Sequence, residues 1–255
     1  MEFAPIRMLS PAWARGRARV ENGEIVLDED RADRYGFETP EESEQMAFDL
    51  AALPYGDEKA AVSFAGRWGL LWHGADDLVG GKCQESLQDW WVEAGRLRFV
   101  VKMYLAIQDA KRKDSAKPVQ DLIRSLGGVG FPSLSPKREN FIEDYIFGAG
   151  VILQGIVNDG LNAGSNEEPG RNGGRRCWWG LEAVGPGEFK LAQFPPDLLS
   201  RAYSAFALLI ANRVEIRPCK VCQRPFHPPT KRSWACPDHV NTLRSQRNRA
   251  KPRTK

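Results

Sequence analysis

The chain has 255 residues, 42% hydrophobic and 27% charged, with 12 Phe, 8 Trp, 5 Tyr and 4 Met. That composition supplies a buried core and excludes both a wholly disordered chain and a disulfide-stapled mini-protein. A net charge of +3 hides an asymmetry: from Arg217 to Lys255 eleven Lys or Arg face one acid, Asp238, giving +10, while residues 1–216 carry −7. A mildly acidic body with a strongly basic end is the pattern of a protein whose end meets a polyanion.

The longest uninterrupted apolar run, Ala205 to Ala211, spans seven residues, where a membrane-crossing helix needs about 20. With no basic-then-apolar leader pattern at the N-terminus, a soluble cytoplasmic protein that makes no membrane contact is expected.

Along the chain, residues 18–27 read as a β-hairpin, because Asn22-Gly23 takes the positive φ angles of a tight turn between two runs of strand character. Thr39-Pro40-Glu41-Glu42 supplies an N-cap, a proline at the first helical position and a glutamate three residues after the cap, predicting a helix to about Leu53. A second helix starts near Asp57, with Ala61, Phe64, Ala65, Trp68, Leu71 and Trp72 on one face. The strongest periodicity runs from Gln84 to about Lys111 through Leu87, Trp90, Trp91, Ala94, Leu97, Val101, Tyr104 and Leu105. Shorter helices follow over 118–126, closed by Gly127-Gly128, and over 137–158. The glycine-rich stretch 164–174 reads as a loop. Residues 177–184 and 189–194 flank Gly185-Pro186-Gly187 as a second hairpin, and Pro195-Pro196-Asp197 opens a helix to Asn212.

Chemistry concentrates after that helix. Three of the five cysteines, Cys219, Cys222 and Cys236, fall within 18 residues, and His227 and His239 lie among or just after them. Two residues between ligands let the chain fold into a knuckle with both side chains on one ion, and Cys236-Pro-Asp-His239 provides a second pair. Three thiolates and an imidazole suit one structural Zn2+, with no coordination position left for water. His227, separated from Cys222 by four residues, competes with His239 for the fourth position. The surrounding stretch has few large apolar side chains (Phe226, Trp234, Val240, Leu243), so metal binding must contribute most of its folding free energy. Pro237 and Asp238 start a helix that places Arg244, Arg247, Asn248 and Lys251 on one cationic face, with Arg232 and Arg249 adding to the field. Guanidinium groups at such intervals pair with phosphates and guanine edges.

Cys-x2-Cys-x3-Phe at 219–226, Arg-x-Trp-x-Cys at 232–236 and Arg-Asn-Arg-Ala-Lys at 247–251 resemble the treble-clef zinc fingers that end the bacterial CGNR zinc-finger family. The resemblance implies a helical N-terminal domain ahead of the finger and a role in transcription regulation or RNA binding. Here His239 takes the fourth ligand position, and the Cys-Gly-Asn-Arg tetrapeptide is not present.

No phosphate-binding glycine loop and no sequence-local set of nucleophile, base and orienting residue is found, so no enzymatic activity is expected; His73 reads as a cap or packing residue. Trp68, Trp72, Trp90 and Trp91 read as core, or else as the lining of a small-molecule effector pocket. The expected architecture is α+β, mainly helical with two β-hairpins: a sensing or dimerisation domain over 1–212 and a basic zinc-finger module over 213–255. DNA or RNA is the expected partner, and the alternative is a protein-interaction adaptor whose finger is purely structural.

Overall fold

The computed structural model describes residues 7–8, 13–28, 33–35, 39–72, 83–125, 141–162, 178–185, 188–194, 197–230 and 232–242. In chain order its elements are β1 (Arg7–Met8), β2 (Trp13–Arg15), β3 (Ala18–Glu21), β4 (Glu24–Leu27), β5 (Asp33–Tyr35), α1 (Pro40–Ala51), α2 (Glu58–Trp68), β6 (Cys83–Ser86) and α3 (Leu87–Lys113). There follow α4 (Lys117–Ser125), α5 (Phe141–Asn162), β7 (Trp178–Gly185), β8 (Glu188–Phe194), α6 (Leu198–Ala211), β9 (Arg217–Pro218), β10 (Pro225–Phe226) and a 3-10 turn at Pro237–His239. The fold is mostly helical with small sheets, in keeping with the α+β expectation. The glycine-rich stretch 164–174, Gly127-Gly128 and His73 lie outside the described residues. Among the described residues no helix is long and apolar enough to cross a membrane.

The chain divides into two compact units, Met1–Arg98 with Gln154–Leu208, and Phe99–Leu153 with Leu209–Lys255. In the first, the β3–β4 hairpin turns on Asn22 (φ 53°) and Gly23 (φ 80°), as the Asn-Gly pair predicts. β4 is buried along Ile25, Val26 and Leu27 because it is flanked on both sides, by β3 and by β6. Residues 84–86, expected in the long helix, belong instead to this third strand, and α3 begins at Leu87, whose N–H donates to the Gly23 carbonyl (3.1 Å). Two further small sheets pair β2 with β5 antiparallel, and β7 with β8 antiparallel with β1 parallel to β8.

Helix starts follow their caps. The Thr39 hydroxyl accepts from Glu42 N–H (3.3 Å) and the Asp57 carboxylate from Ala60 N–H (3.0 Å). α1 finishes with the Arg98 guanidinium on the carbonyls of Ala51 and Leu53, a cation on the negative end of the helix dipole. α2 stops at Trp68 because Gly69 takes φ 97°, so Leu71 and Trp72 fall beyond the helix rather than on its face.

Those two residues are held by a buried carboxylate. Glu85, on β6, accepts from Leu71 N–H (2.8 Å), Trp72 N–H (2.6 Å) and the Trp90 indole N–H (2.7 Å). Donors of this number make a buried carboxylate tolerable. The Trp90 ring meets Phe64 edge-on at 5.6 Å, and Phe48 meets Phe206 likewise at 5.6 Å. Trp68, Trp90 and Trp91 are buried, and the Trp68 indole N–H is taken up by Asp49 (3.1 Å). Tyr203 donates to Glu93 (2.9 Å) inside this core; burial, and then the Glu93 charge, hold its phenol well above the ordinary tyrosine value.

In the second unit, α3 buries Val100, Met103, Ile107 and Ala110, and Val119 of α4 and Ala149 and Leu153 of α5 are also buried. α6 ends without glycine: Arg213 takes φ 54°, and Val214 N–H reaches back to Leu209 C=O (2.9 Å) in a Schellman closure. The chain that follows is fastened to α3. The Gln108 amide donates to Val214 C=O (2.7 Å) and accepts from Ile216 N–H (3.3 Å), while Tyr104 O–H donates to Val214 C=O (2.9 Å). This fixed segment leads into the cysteine cluster.

Candidate metal centre

Local chain geometry builds the centre from both sides. β9 and β10 pair antiparallel, Arg217 opposite Phe226 and Pro218 opposite Pro225. The short connection between them is the expected knuckle: Gln223 N–H donates to Cys219 C=O (2.8 Å), Cys219 N–H to Arg224 C=O (2.8 Å), and Gln223 turns the chain at φ 61°. On the other side Cys236 adopts an extended backbone (φ −62°, ψ 162°) as the residue before the 3-10 turn. Pro237 holds the turn's first position, and His239 N–H donates to Cys236 C=O (2.9 Å). A helical turn over 240–242 continues it.

These two pieces bring Cys219, Cys222, Cys236 and His239 together, with their ligand atoms all within 4.8 Å of one another. Cys222 Sγ lies 3.9 Å from Cys236 Sγ, and Cys236 Sγ lies 3.1 Å from His239 Nδ1. Thiolates about 2.3 Å from a tetrahedral ion stand about 3.8 Å apart, so the sulfur–sulfur edge already has the length that coordination requires. The four residues are placed to hold one metal ion. His227 is exposed and lies outside this group, so the choice between the two histidines falls to His239.

The sulfurs differ in their surroundings. Burial disfavours a charge on Cys219, but the backbone N–H groups of Cys222, Cys236 and Val221 directed at its sulfur outweigh that and bring the thiol down to about 6. Two of these hydrogen bonds, from Val221 N–H and Cys236 N–H, are each 3.4 Å long. Burial, and then the neighbouring sulfurs of Cys219 and Cys222, push Cys236 up to about 12. The backbone thus supports one negative charge, and a second one next to it needs a cation. That requirement, with the edge length, is how the donor set fits a metal.

Little else orders the segment. Its core consists of Cys219, Phe226, Ala235 and Cys236, with Val221 and Cys222 packed against it. Trp234, one of the few large apolar side chains of the segment, is 38% exposed, and two cations lie against its ring: the Arg217 guanidinium 4.7 Å and the Lys220 ammonium 4.5 Å from the centroid. Size and apolarity alone leave the position of Trp234 open; the signal for its surface position is the run of cations around it. Arg224 pairs with Asp238 at 3.6 Å, and Arg217 with Glu215 at 2.8 Å. Of the basic residues singled out for nucleic-acid binding, Arg232 is exposed on this segment, while Arg244, Arg247, Arg249 and Lys251 lie outside the described residues.

No protein-family model, curated protein or solved structure matches this chain.

Proposed function

We propose that this chain is a nucleic-acid-binding protein, a transcription regulator, that uses one structural zinc to order a basic C-terminal module of the treble-clef type. The observation that carries the reading is the convergence of Cys219, Cys222, Cys236 and His239 directly ahead of a chain end with six further Lys or Arg and no acid. Three sulfurs and one imidazole favour zinc over magnesium or calcium, which take oxygen ligands. When bound, zinc supplies a cross-link between the knuckle and the first turn of the terminal helix. The chain's own part is to aim three N–H groups at Cys219 and to pair β9 with β10, which fixes where the helix starts. A knuckle, a two-stranded ladder and a helix start are the components of a treble clef, which supports the likeness to CGNR-type fingers. From that start Arg244, Arg247, Arg249 and Lys251, with Arg232, meet phosphates.

The test is the salt dependence of binding to labelled single-stranded and duplex DNA and RNA. Affinity should fall log-linearly with salt, and Arg244→Gln with Arg247→Gln should flatten the slope on duplex DNA by about 0.9 for each phosphate no longer neutralised. Absence of any complex at low salt overturns the reading and leaves the protein-interaction adaptor, with the basic end docking on an acidic partner.

A further inference from the structure

Trp234 sits where an indole gains least for its own module. Its neighbours Ala235 and Cys236 are buried, yet its ring stays at the surface against Arg217 and Lys220. The backbone beneath it is fixed. Lys220 N–H donates to Trp234 C=O (2.9 Å), and the preceding turn is closed by Ser233 N–H to Thr230 C=O (2.9 Å) and by the Thr230–Ser233 hydroxyl pair (2.9 Å). Two residues onward the chain reaches the metal-ligand set at Cys236. A large ring with two side-chain torsions, standing on an immobile backbone, loses little freedom on binding.

We propose that Trp234 is a stacking platform for an unpaired nucleobase, so that the module takes single-stranded nucleic acid, with Lys220 moving from the ring to a flanking phosphate. This rests on the nucleic-acid reading above and adds the strand class and the stacking residue. A base has a π-face that fits the indole whatever its sequence, and stacking on an aromatic beside cations is how single strands are held without base-edge readout. A duplex offers its bases already stacked. An acidic peptide would use the cations but gain nothing from the ring, whose face is negative and repels carboxylate. Lys220 is free to make the exchange: it is exposed, and among the described residues it has no carboxylate partner.

The experiment uses the full-length, zinc-loaded chain and fluorescence anisotropy with a labelled 12-mer of oligothymidylate, an abasic strand with the same phosphates, and polyglutamate as competitor. Trp234→Ala should weaken oligothymidylate binding about tenfold and leave the abasic strand unaffected. Trp234→Phe should keep most of the affinity and Trp234→Leu should lose it. Lys220→Gln should flatten the salt slope by about 0.7 on either strand. Zinc content is measured for each variant, and if the alanine variant loses metal the Phe and Leu variants decide. Binding by the parent chain with no loss in Trp234→Ala or Trp234→Leu overturns the platform and leaves the nucleic-acid reading standing. So does an equal loss on the abasic strand. Indifference of the parent chain to every strand removes both, and displacement by polyglutamate at oligonucleotide concentrations assigns the surface to an acidic protein partner instead.

Discussion

Around Trp90 order comes from bulk: Ile25, Leu27, Met46, Leu50, Phe64, Leu71 and Phe206 are all buried in the same unit, and polar groups such as Glu85 survive there because their donors are supplied. Around Cys219 four small or single-ring residues make up the core, and the side chains that converge are ones placed to hold a metal ion. The first region is held by area removed from water, while the second has donor atoms placed to hold a cation. The two should therefore respond to different insults, and each response can be measured on one chain.

The largest effect is expected from the metal. Protein purified without chelator should contain close to one zinc per chain. Stripping it, or replacing Cys222 with Ser, should abolish hydrogen-exchange protection across 217–242 and leave protection around Trp90 unchanged, since structural zinc contributes about 10–16 kcal/mol in small zinc-dependent folds. Persistence of protection after stripping would break the contrast. The reciprocal test is Trp90→Ala, which should lower stability by about 3–5 kcal/mol in urea unfolding while zinc stoichiometry stays the same.

Next in size is an alkaline limb. Unfolded, Tyr203 gives up its proton near pH 10; folded, burial and then Glu93 keep the proton on to higher pH. Above about pH 10 the unfolded chain binds fewer protons than the folded one, and a difference of one proton is worth up to about 1.4 kcal/mol per pH unit. Losing a proton is open to the unfolded chain alone, so it draws the equilibrium toward unfolding and stability falls by up to that amount per unit. Urea midpoints between pH 9 and 11 should show this decline in the parent chain and a shallower one in Tyr203→Phe.

The smallest effect sharpens the description of the knuckle. Gln223 adopts φ 61°, a region costly for any residue with a Cβ, so Gln223→Gly should improve zinc affinity about fivefold in competition with a chelator, equivalent to about 1 kcal/mol.

What could be read in advance tracks how local each determinant is. Thr39-Pro40-Glu42, Asp57 and Asn22-Gly23 fix their own helix starts and turn within a few residues, and each appears where the pattern placed it. The ligand set was legible for the same reason, since two ligand pairs with two residues between them are short-range geometry. β6 was not. Its inward residue, Glu85, looks like a solvent-facing acid until the N–H groups of Leu71, Trp72 and Trp90 are known to surround it. Strands such as β1, two residues long and paired with β8 some 185 positions away, leave no local trace. The surface position of Trp234 was not legible either, because hydrophobicity describes the residue, while its exposure is decided by how little core the segment has to offer it.

The Gln108 amide has a practical corollary. By clasping Val214 C=O and Ile216 N–H it substitutes for a neighbouring strand along the approach to the knuckle. A peptide cut out at residue 214 would still contain all four ligands and would still chelate. It would also arrive with its leading edge bare, two main-chain groups turned over to water, and would behave as a graft without its rootstock.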